Sequence, residues 1–422
     1  MGRYIADQIV TGLAAKKLAT QEQCTALVTF VETACLMHDI GNPPFGHFGE
    51  AAICEWFRLN GRRDLAKACT SVLLPNDTRV DAALADFNAF DGNPQGLRIV
   101  AKLQRNSDEH GLNLTKTTIA AYLKYVRSSD AKPDSKVLFT KKCGYFATEA
   151  DLVKGVWQHF GYQTPQRFPL AYIMEAADDI AYCISDLEDS FEKGLVVKET
   201  AFKCLVDEWS KQTPFDPHEK QLADKICEIL VSALNNKSSA GGIFTYTDFR
   251  TSLNRELVAY CAQHYISNHD EILSGSLASL MPPNSPAGVI LDLLKSYCRK
   301  NVYCHEVVQR VELAGYTAIY GLLEKFSCLL ACDANRFSLS LDHSNNKDEN
   351  DVPIVVEKKL LALFPKNYIK TYQADLNALA KNDSDYAFKE WRLRAHLVTD
   401  YISGMTDDFA MTTFRTLSGM RL

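Results

Sequence analysis

Apolar and polar positions alternate at helical spacing along most of this chain, which predicts a protein built from helices. Over residues 4–36 the apolar side chains return every three or four positions, with a break near 19–21 that predicts two helices. The same spacing predicts further helices over 46–59, 114–127 and 169–192. The pattern contains no internal repeat and no strand-rich segment, so it favours an all-α fold.

The most regular amphipathic pattern lies in residues 169–192. Its apolar face consists of Ile173, Ala177, Ile180, Ile184, Leu187 and Phe191. Asp178, Tyr182 and Asp186 repeat every four residues on another face of the same helix. Taken by themselves, these acidic positions are more typical of a solvated helix face than of a functional site.

The composition is that of an ordinary globular protein. Of 422 residues, 46% are hydrophobic and 23% are charged, and the net charge of −6 gives no general attraction for nucleic acids or membrane surfaces. There is no run of 18 apolar residues, and the first ten residues lack the layout of a signal peptide, so we expect no membrane association. Thirteen cysteines without a CxxC pair indicate reduced thiols in a cytoplasmic protein.

The stretch CLMHDIGNPPFGHFGE, residues 35–50, concentrates the candidate chemistry. His38 and Asp39 are neighbours, and neighbouring side chains on a helix point about 100° apart, so they can bind one ion together only where a helix ends. Gly41 in a left-handed cap conformation, followed by two prolines, predicts such an end. A polar helix end without a metal is the alternative for this dipeptide.

His47 and Glu50 follow at i,i+3 spacing and therefore share one face of the next predicted helix. A His–Asp pair supplies ligands for an ion, and a neighbouring imidazole with a carboxylate supplies a group that moves protons. Together they form the inventory for metal-assisted hydrolysis.

The string HDIGNPPFGHFGE resembles the HD-superfamily phosphohydrolases, most closely the bacterial deoxyguanosinetriphosphate triphosphohydrolases, and later segments extend the resemblance over essentially the whole chain. The resemblance implies an all-α HD-domain helical fold with additional helical elaborations. It implies an HD-domain core over 1–192, incomplete at its N-terminus, and a helical C-terminal region over 193–422 that packs on the core. It also implies hydrolysis of dGTP to deoxyguanosine and tripolyphosphate by a cytoplasmic homo-oligomer, a hexamer in the family.

The family binds its metal through four ligands in the order His, His-Asp, Asp. His38 and Asp39 match the second and third ligands, and Asp178 matches the fourth. The implied cofactor is a divalent ion, Mg²⁺ or Mn²⁺, because carboxylate and phosphate oxygens dominate the site. His47, oriented by Glu50, is implied as the catalytic group that shuttles the proton.

The first family ligand has no counterpart, since residues 1–37 contain no histidine. The match begins at Gly2, inside a helix that follows this histidine in the family, and Met1 stands where the best-matching members have valine. Valine codons can serve as start codons. We therefore expect either a start assigned inside a longer reading frame or a real deletion, with weakened metal binding and assembly.

The resemblance also assigns a substrate pocket. The segment AFDGNPQ, residues 89–95, reads as a turn before a helix, and its family counterpart lines the catalytic pocket, which implies Asn93 and Gln95 as wall residues. The predicted helix over 114–127 carries two further matches, and residues 137–146 hold a lysine pair before a predicted Gly-Tyr turn.

A triphosphate carries about four negative charges and needs several cations around it. Exposed lysines are more often solvated charges, but two segments here resemble the triphosphate-binding segments of the family. They imply substrate contacts for Lys124, Tyr125 and one of Lys141 and Lys142. The resemblance adds Tyr182 as a substrate-contacting tyrosine and Asp186 as the carboxylate below it.

The C-terminal string DYISGMTD, residues 400–407, is similar to a signature of the same family, and Arg394 just before it is implied as a nucleotide contact. Two alternatives remain open. One is a phosphohydrolase of broader dNTP specificity. The other is a catalytically impaired regulatory relative that binds single-stranded DNA. If the protein is an active enzyme, single-stranded DNA is an expected effector of it.

Overall fold

The structure is a computed structural model, and the all-α prediction is confirmed. It describes residues 1–69, 77–105, 108–212, 214–238, 241–342, 344 and 346–420. The first ten α-helices are α1 Gly2–Ala15, α2 Gln21–Met37, α3 His47–Trp56, α4 Arg62–Ala68, α5 Thr78–Asn88, α6 Gly92–Arg98, α7 Lys116–Tyr122, α8 Ala150–His159, α9 Pro169–Glu192 and α10 Lys198–Ser210.

The remaining α-helices are α11 Lys220–Asn235, α12 Tyr246–Ser267, α13 His269–Leu273, α14 Pro286–Asn301, α15 Glu306–Ala331, α16 Ala334–Leu341, α17 Val355–Leu361, α18 Lys366–Ala378, α19 Tyr386–Ser403 and α20 Asp407–Leu417. Two π-helical turns, Phe57–Gly61 and Ile99–Leu103, and a 3-10 turn, Ala147–Glu149, join them. The described strands β1 Arg127–Ser128 and β2 Cys143–Tyr145 pair in parallel.

The chain forms two compact units, each discontinuous in sequence. Unit 1 comprises Met1–Met37, Lys116–Lys124 and Gln166–Arg310, and unit 2 comprises His38–Thr115, Tyr125–Pro165 and Val311–Leu422. The predicted boundary at residue 192 does not coincide with this division. The reason is that α1 packs against α12 as well as α2, so helices from both sides of residue 192 build one core.

In unit 1, α9 has the bounds and the buried face that the sequence predicted. Ile173, Ile180 and Leu187 are fully buried, whereas Tyr182 is exposed. A proline at the first turn starts α9, where its missing N–H has no helical partner to lose. The hydrophobic periodicity of this segment therefore fixed which of its side chains are available for chemistry.

In unit 2, α19 runs through a core of aromatic side chains. The Phe57 and Phe87 rings stack with centroids 4.3 Å apart, and the Trp391 Nε1–H donates to the carbonyl oxygen of Leu330 at 2.8 Å. A buried hydrogen bond joins α19 to α5, with His396 Nε2 2.8 Å from Asp86 Oδ2. Burial alone would raise the pKa of Asp86, but the hydrogen bond with His396 lowers that pKa to about 2.

The backbone conformation of Gly41, just after the end of α2, differs from the prediction. Gly41 does not adopt a left-handed conformation; the positive φ angles lie at Phe45, +62°, and Gly46, +54°. Gly41 is needed for a different reason, because a Cβ there would lie 2.0 Å from the Gly92 carbonyl oxygen and 2.1 Å from the Gly96 nitrogen. The glycine allows two backbone segments of the candidate site to touch.

Helix α6 also starts earlier than predicted. It begins at Gly92, and Asp91 caps it by accepting the Asn93 N–H at 3.0 Å. The predicted turn is therefore the first turn of the helix. A short polar side chain before a glycine is compatible with both structures, so the local sequence did not decide between them.

The predicted helix over 114–127 is shorter, since α7 ends at Tyr122. Lys124 and Tyr125 follow the helix instead of lying on it. The predicted Gly-Tyr turn is part of β2, where a Cβ on Gly144 would lie 1.9 Å from the Tyr125 carbonyl oxygen. The β1–β2 pairing places Arg127 opposite Cys143 and Ser128 opposite Tyr145, so the ends of both predicted segments are strands instead of a helix and a turn.

The thirteen cysteines all lie in the described residues, and none of them forms a disulfide bond. Burial raises the pKa of several of these thiols, among them Cys183, to about 12. Within the described ranges, no helix is long and apolar enough to cross a membrane.

Candidate active site

The His38–Asp39 pair lies immediately after the last residue of α2, within unit 2. His38 Nε2 is 3.1 Å from Asp39 Oδ2, and the Asp39 side chain is 63% exposed. Two donors that bind one octahedral ion at about 2.1 Å occupy neighbouring positions about 3 Å apart. The imidazole nitrogen and the carboxylate oxygen therefore fit two ligand positions of one Mg²⁺ or Mn²⁺ ion.

Asp178, which matches the fourth ligand of the family, lies on α9 in unit 1. Its Oδ2 atom accepts a hydrogen bond from Lys124 Nζ at 2.9 Å, so two residues singled out by sequence form an ion pair. Arg167 holds the Lys124 carbonyl oxygen through its Nε at 2.9 Å. Among the described residues, no group of three or more His, Cys, Asp or Glu side chains is arranged to hold a metal ion. The assignment of Asp178 as a ligand stays a prediction.

His47 and Glu50 form the hydrogen-bonded pair that their spacing predicted. His47 Nδ1 is 2.8 Å from Glu50 Oε2, and the second carboxylate oxygen accepts the Gly92 N–H at 2.8 Å. The His47 ring is 80% exposed, whereas the Glu50 side chain is 13% exposed. With Nδ1 held by Glu50, Nε2 is the atom through which the ring gives or takes a proton. The hydrogen bond to Glu50 raises the pKa of His47.

The variant Glu50→Gln, which replaces the Glu50 carboxylate by an amide, should lower the pKa of His47. The reason is that the anionic carboxylate stabilises the protonated ring. A His47-dependent limb of the pH–rate profile should then move to lower pH. NMR titration of the His47 ring would measure the change directly. Glu55→Gln is the matched control, since Glu55 lies on the same helix and pairs with Arg58. An unchanged His47 titration in Glu50→Gln would contradict the assignment.

The predicted pocket wall lies at the start of α6 in unit 2. Asp91 accepts hydrogen bonds from the Asn93 backbone N–H at 3.0 Å and side-chain amide at 2.5 Å, and its other oxygen binds Lys142 Nζ at 2.9 Å. Burial would lower the pKa of Lys142, but Asp91 raises that pKa above its ordinary value. Of the two candidate lysines, Lys142 is thus tied to the Asn93 segment, while Lys141 is exposed. The local sequence pattern predicted only a turn at Asp91.

Gln95, the second wall residue, is completely buried. Its Nε2 donates to Asp400 Oδ1 at 3.0 Å. Within the described part of the chain, its Oε1 atom is buried without a hydrogen-bond partner. Tyr125 is half-buried, and its carbonyl oxygen lies against Gly144. Substrate contacts for both residues stay predictions.

The predicted tyrosine and carboxylate of α9 are joined in unit 1 by a residue that the sequence did not single out. The Tyr182 hydroxyl lies 3.0 Å from the Tyr303 hydroxyl, which also donates to Asp186. Burial raises the pKa of Asp186 above its ordinary value. Tyr303 lies more than a hundred residues from both partners, so no local pattern could have identified it.

Arg394, the predicted nucleotide contact, lies on α19 in unit 2. It is 1% exposed, and its guanidinium binds Glu390 and the carbonyl oxygens of Leu329 and Cys332 inside unit 2. Glu390 also accepts a hydrogen bond from the Tyr372 hydroxyl, whose oxygen lies 2.7 Å from Glu390 Oε1. These contacts direct the guanidinium of Arg394 into the core, and its role as a nucleotide contact stays a prediction.

Comparison with known proteins gives consistent matches. Residues 358–416 match the phosphohydrolase-associated domain family. The chain is 34% identical to the deoxyguanosinetriphosphate triphosphohydrolase of Salmonella arizonae, over 99% of this chain and 84% of that protein. Proteins of the same name from Klebsiella pneumoniae, 33% identical, and Serratia proteamaculans, 34% identical, match with the same coverage.

Proposed function

Because the chain belongs to the deoxyguanosinetriphosphate triphosphohydrolase family of HD phosphohydrolases, we propose that it hydrolyses dGTP to deoxyguanosine and tripolyphosphate. The observation that carries the proposal is the 33–34% identity over 99% of the chain to relatives of that name. The His47–Glu50 pair supports the chemistry, since it supplies a proton-transfer group with a raised pKa.

We further propose a divalent ion, Mg²⁺ or Mn²⁺, held by His38 and Asp39, with Asp178 as the ligand that the family resemblance adds. The 3.1 Å spacing of the first two donors supports this assignment. When bound, such an ion supplies positive charge for phosphate oxygens and a more acidic water.

The products define the bond that breaks. Release of deoxyguanosine and tripolyphosphate requires attack of water at the α-phosphorus and cleavage of its bond to O5′ of deoxyribose. The departing O5′ needs a proton, and His47 with its raised pKa is suited to give it from Nε2. Glu50 orients the ring and stabilises its protonated form. Lys124 and Lys142 would offset charge on the phosphate chain.

The test is a nucleotide panel with Mn²⁺, in which ion-exchange chromatography follows tripolyphosphate. We expect tripolyphosphate from dGTP at a higher rate than from the other three dNTPs. Similar rates with all four would instead establish the broader-specificity alternative. No tripolyphosphate from any of them would overturn the proposed activity, and salt-dependent binding of single-stranded DNA would then favour the regulatory alternative.

We also propose that the protein is a cytoplasmic homo-oligomer, a hexamer as in the family, and that single-stranded DNA is an effector. Thirteen cysteines outside any disulfide bond support the compartment. The exposed apolar residues Val311 and Leu313 on α15 in unit 2, 55% and 63% exposed, support burial against another copy. Light scattering at several concentrations would measure the assembly, and activity with and without an oligonucleotide would test the effector.

A further inference from the structure

The segment from Asp400 to Asp407, DYISGMTD, is used by no step of the proposed reaction. We name it the 400–407 segment. It covers the end of α19 and the first residue of α20, and it lies inside the region that matches the phosphohydrolase-associated domain family. The carboxylates at its two ends bind two different segments of the candidate active site, all within unit 2.

At one end, Asp407 holds the backbone just before His47. Its Oδ1 atom accepts the Phe45 N–H at 2.9 Å. Phe45 has a φ of +62°, which is unfavourable for a residue with a side chain and persists only where surrounding contacts fix it. The ring of Phe45 is fixed as well, because it packs directly against Gly315. A Cβ added to Gly315 would lie 2.1 Å from the Cγ atom of Phe45.

This turn determines where His47 points. Gly46 is the N-cap of α3 and His47 is its first residue, so the direction of the helix is set by the conformation of the two preceding residues. The Glu50 N–H then donates to the Gly46 carbonyl oxygen at 3.0 Å and continues the helix. A loss of the Asp407 contact would release the strained turn and disperse the orientation of the imidazole.

At the other end, Asp400 holds α6. Its carboxylate accepts hydrogen bonds from Gln95 Nε2 at 3.0 Å and from Arg98 Nε at 2.9 Å. The first residue of α6, Gly92, donates its N–H to Glu50 at 2.8 Å. The two ends therefore act on the two members of one pair: Asp407 on His47 through Phe45, and Asp400 on Glu50 through α6.

We propose that the 400–407 segment positions the His47–Glu50 pair for proton transfer, and that Asp407 is its exposed positioning residue. The inference rests on the proposed role of His47 in dGTP hydrolysis. It gives the phosphohydrolase-associated region a task in catalysis, namely to fix the orientation of a side chain that lies more than 350 residues away in sequence.

Asp407→Ala should lower kcat for dGTP by about ten-fold, a part of the 10²–10⁴-fold that a positioned acid or base contributes. The KM should change by less than about two-fold, because ground-state contacts with the nucleotide remain. Asp407→Asn keeps an acceptor oxygen and should restore most of the kcat. Asp408→Ala is the matched control, since it removes the same charge from the same exposed first turn of α20 and should behave as wild type.

Hydrogen exchange at the Phe45 amide is the second readout. Exchange should accelerate in Asp407→Ala and stay slow in Asp407→Asn and Asp408→Ala, with similar melting temperatures for all three. Equal kcat values in Asp407→Ala and Asp408→Ala, or a change in KM alone, would overturn the proposal. A wild-type protein without tripolyphosphate release would refute the proposed function instead. The exchange comparison would then decide whether Asp407 holds the turn, and equal exchange in all variants would reject that contact too.

Discussion

Asp39→Asn should reduce kcat/KM for dGTP by at least about 10³-fold, equivalent to ~4 kcal/mol of transition-state stabilisation. The substitution keeps the size of the side chain but removes the negative charge from one of two donors that lie 3.1 Å apart. A divalent ion prefers carboxylate over amide oxygen, so the affinity for the ion should fall together with the rate.

Two measurements separate this effect from a general loss of structure. Steady-state kinetics with Mn²⁺ gives the rate, and electron paramagnetic resonance of free Mn²⁺ gives the binding. Asp81→Asn is the control, because Asp81 is an exposed carboxylate in the first turn of α5 in the same unit. If Asp39→Asn bound Mn²⁺ as tightly as the wild-type protein does, Asp39 would not be a metal ligand.

Arg98→Met should destabilise the protein by about 3–5 kcal/mol, the range for breaking a buried ion pair by removing one partner. The Arg98 side chain is 2% exposed and pairs with Asp400 at 2.9 Å and with Glu149 at 3.1 Å. Burial alone would lower the pKa of Arg98, but the two carboxylates raise it, so the guanidinium stays charged. Methionine would leave the Asp400 carboxylate buried without this cation, while Glu149 would keep only the Lys102 cation, whose Nζ lies 3.3 Å away.

The unfolding midpoint in urea would measure this loss. Arg58→Met is the control, because Arg58 pairs with Glu55 on an exposed helix surface and its removal should have little effect. The contrast between the two variants tests burial, since each removes one arginine from an ion pair. Equal midpoints would contradict the structural role of Arg98 and, with it, the fixed position of Asp400.

Where the sequence correctly predicted the relative positions of side chains in the site, those positions depend on spacing within one helix. The i,i+3 separation of His47 and Glu50 places both side chains on one helix face, and the structure has them 2.8 Å apart. The four-residue spacing on α9 likewise predicted that Asp178 and Tyr182 lie outside its buried face, and neither residue is buried. Local periodicity sufficed because the helix itself sets these distances.

By itself, the sequence determined the all-α class, the extent and buried face of α9, and the chemical inventory of the candidate site. Only the tertiary structure decided the partners of that inventory: Tyr303 between Tyr182 and Asp186, and Asp407 on the turn before His47. It also placed Arg394 in the core. Helical spacing is encoded within a few residues, whereas contacts across more than a hundred residues arise only when separate segments fold against one another.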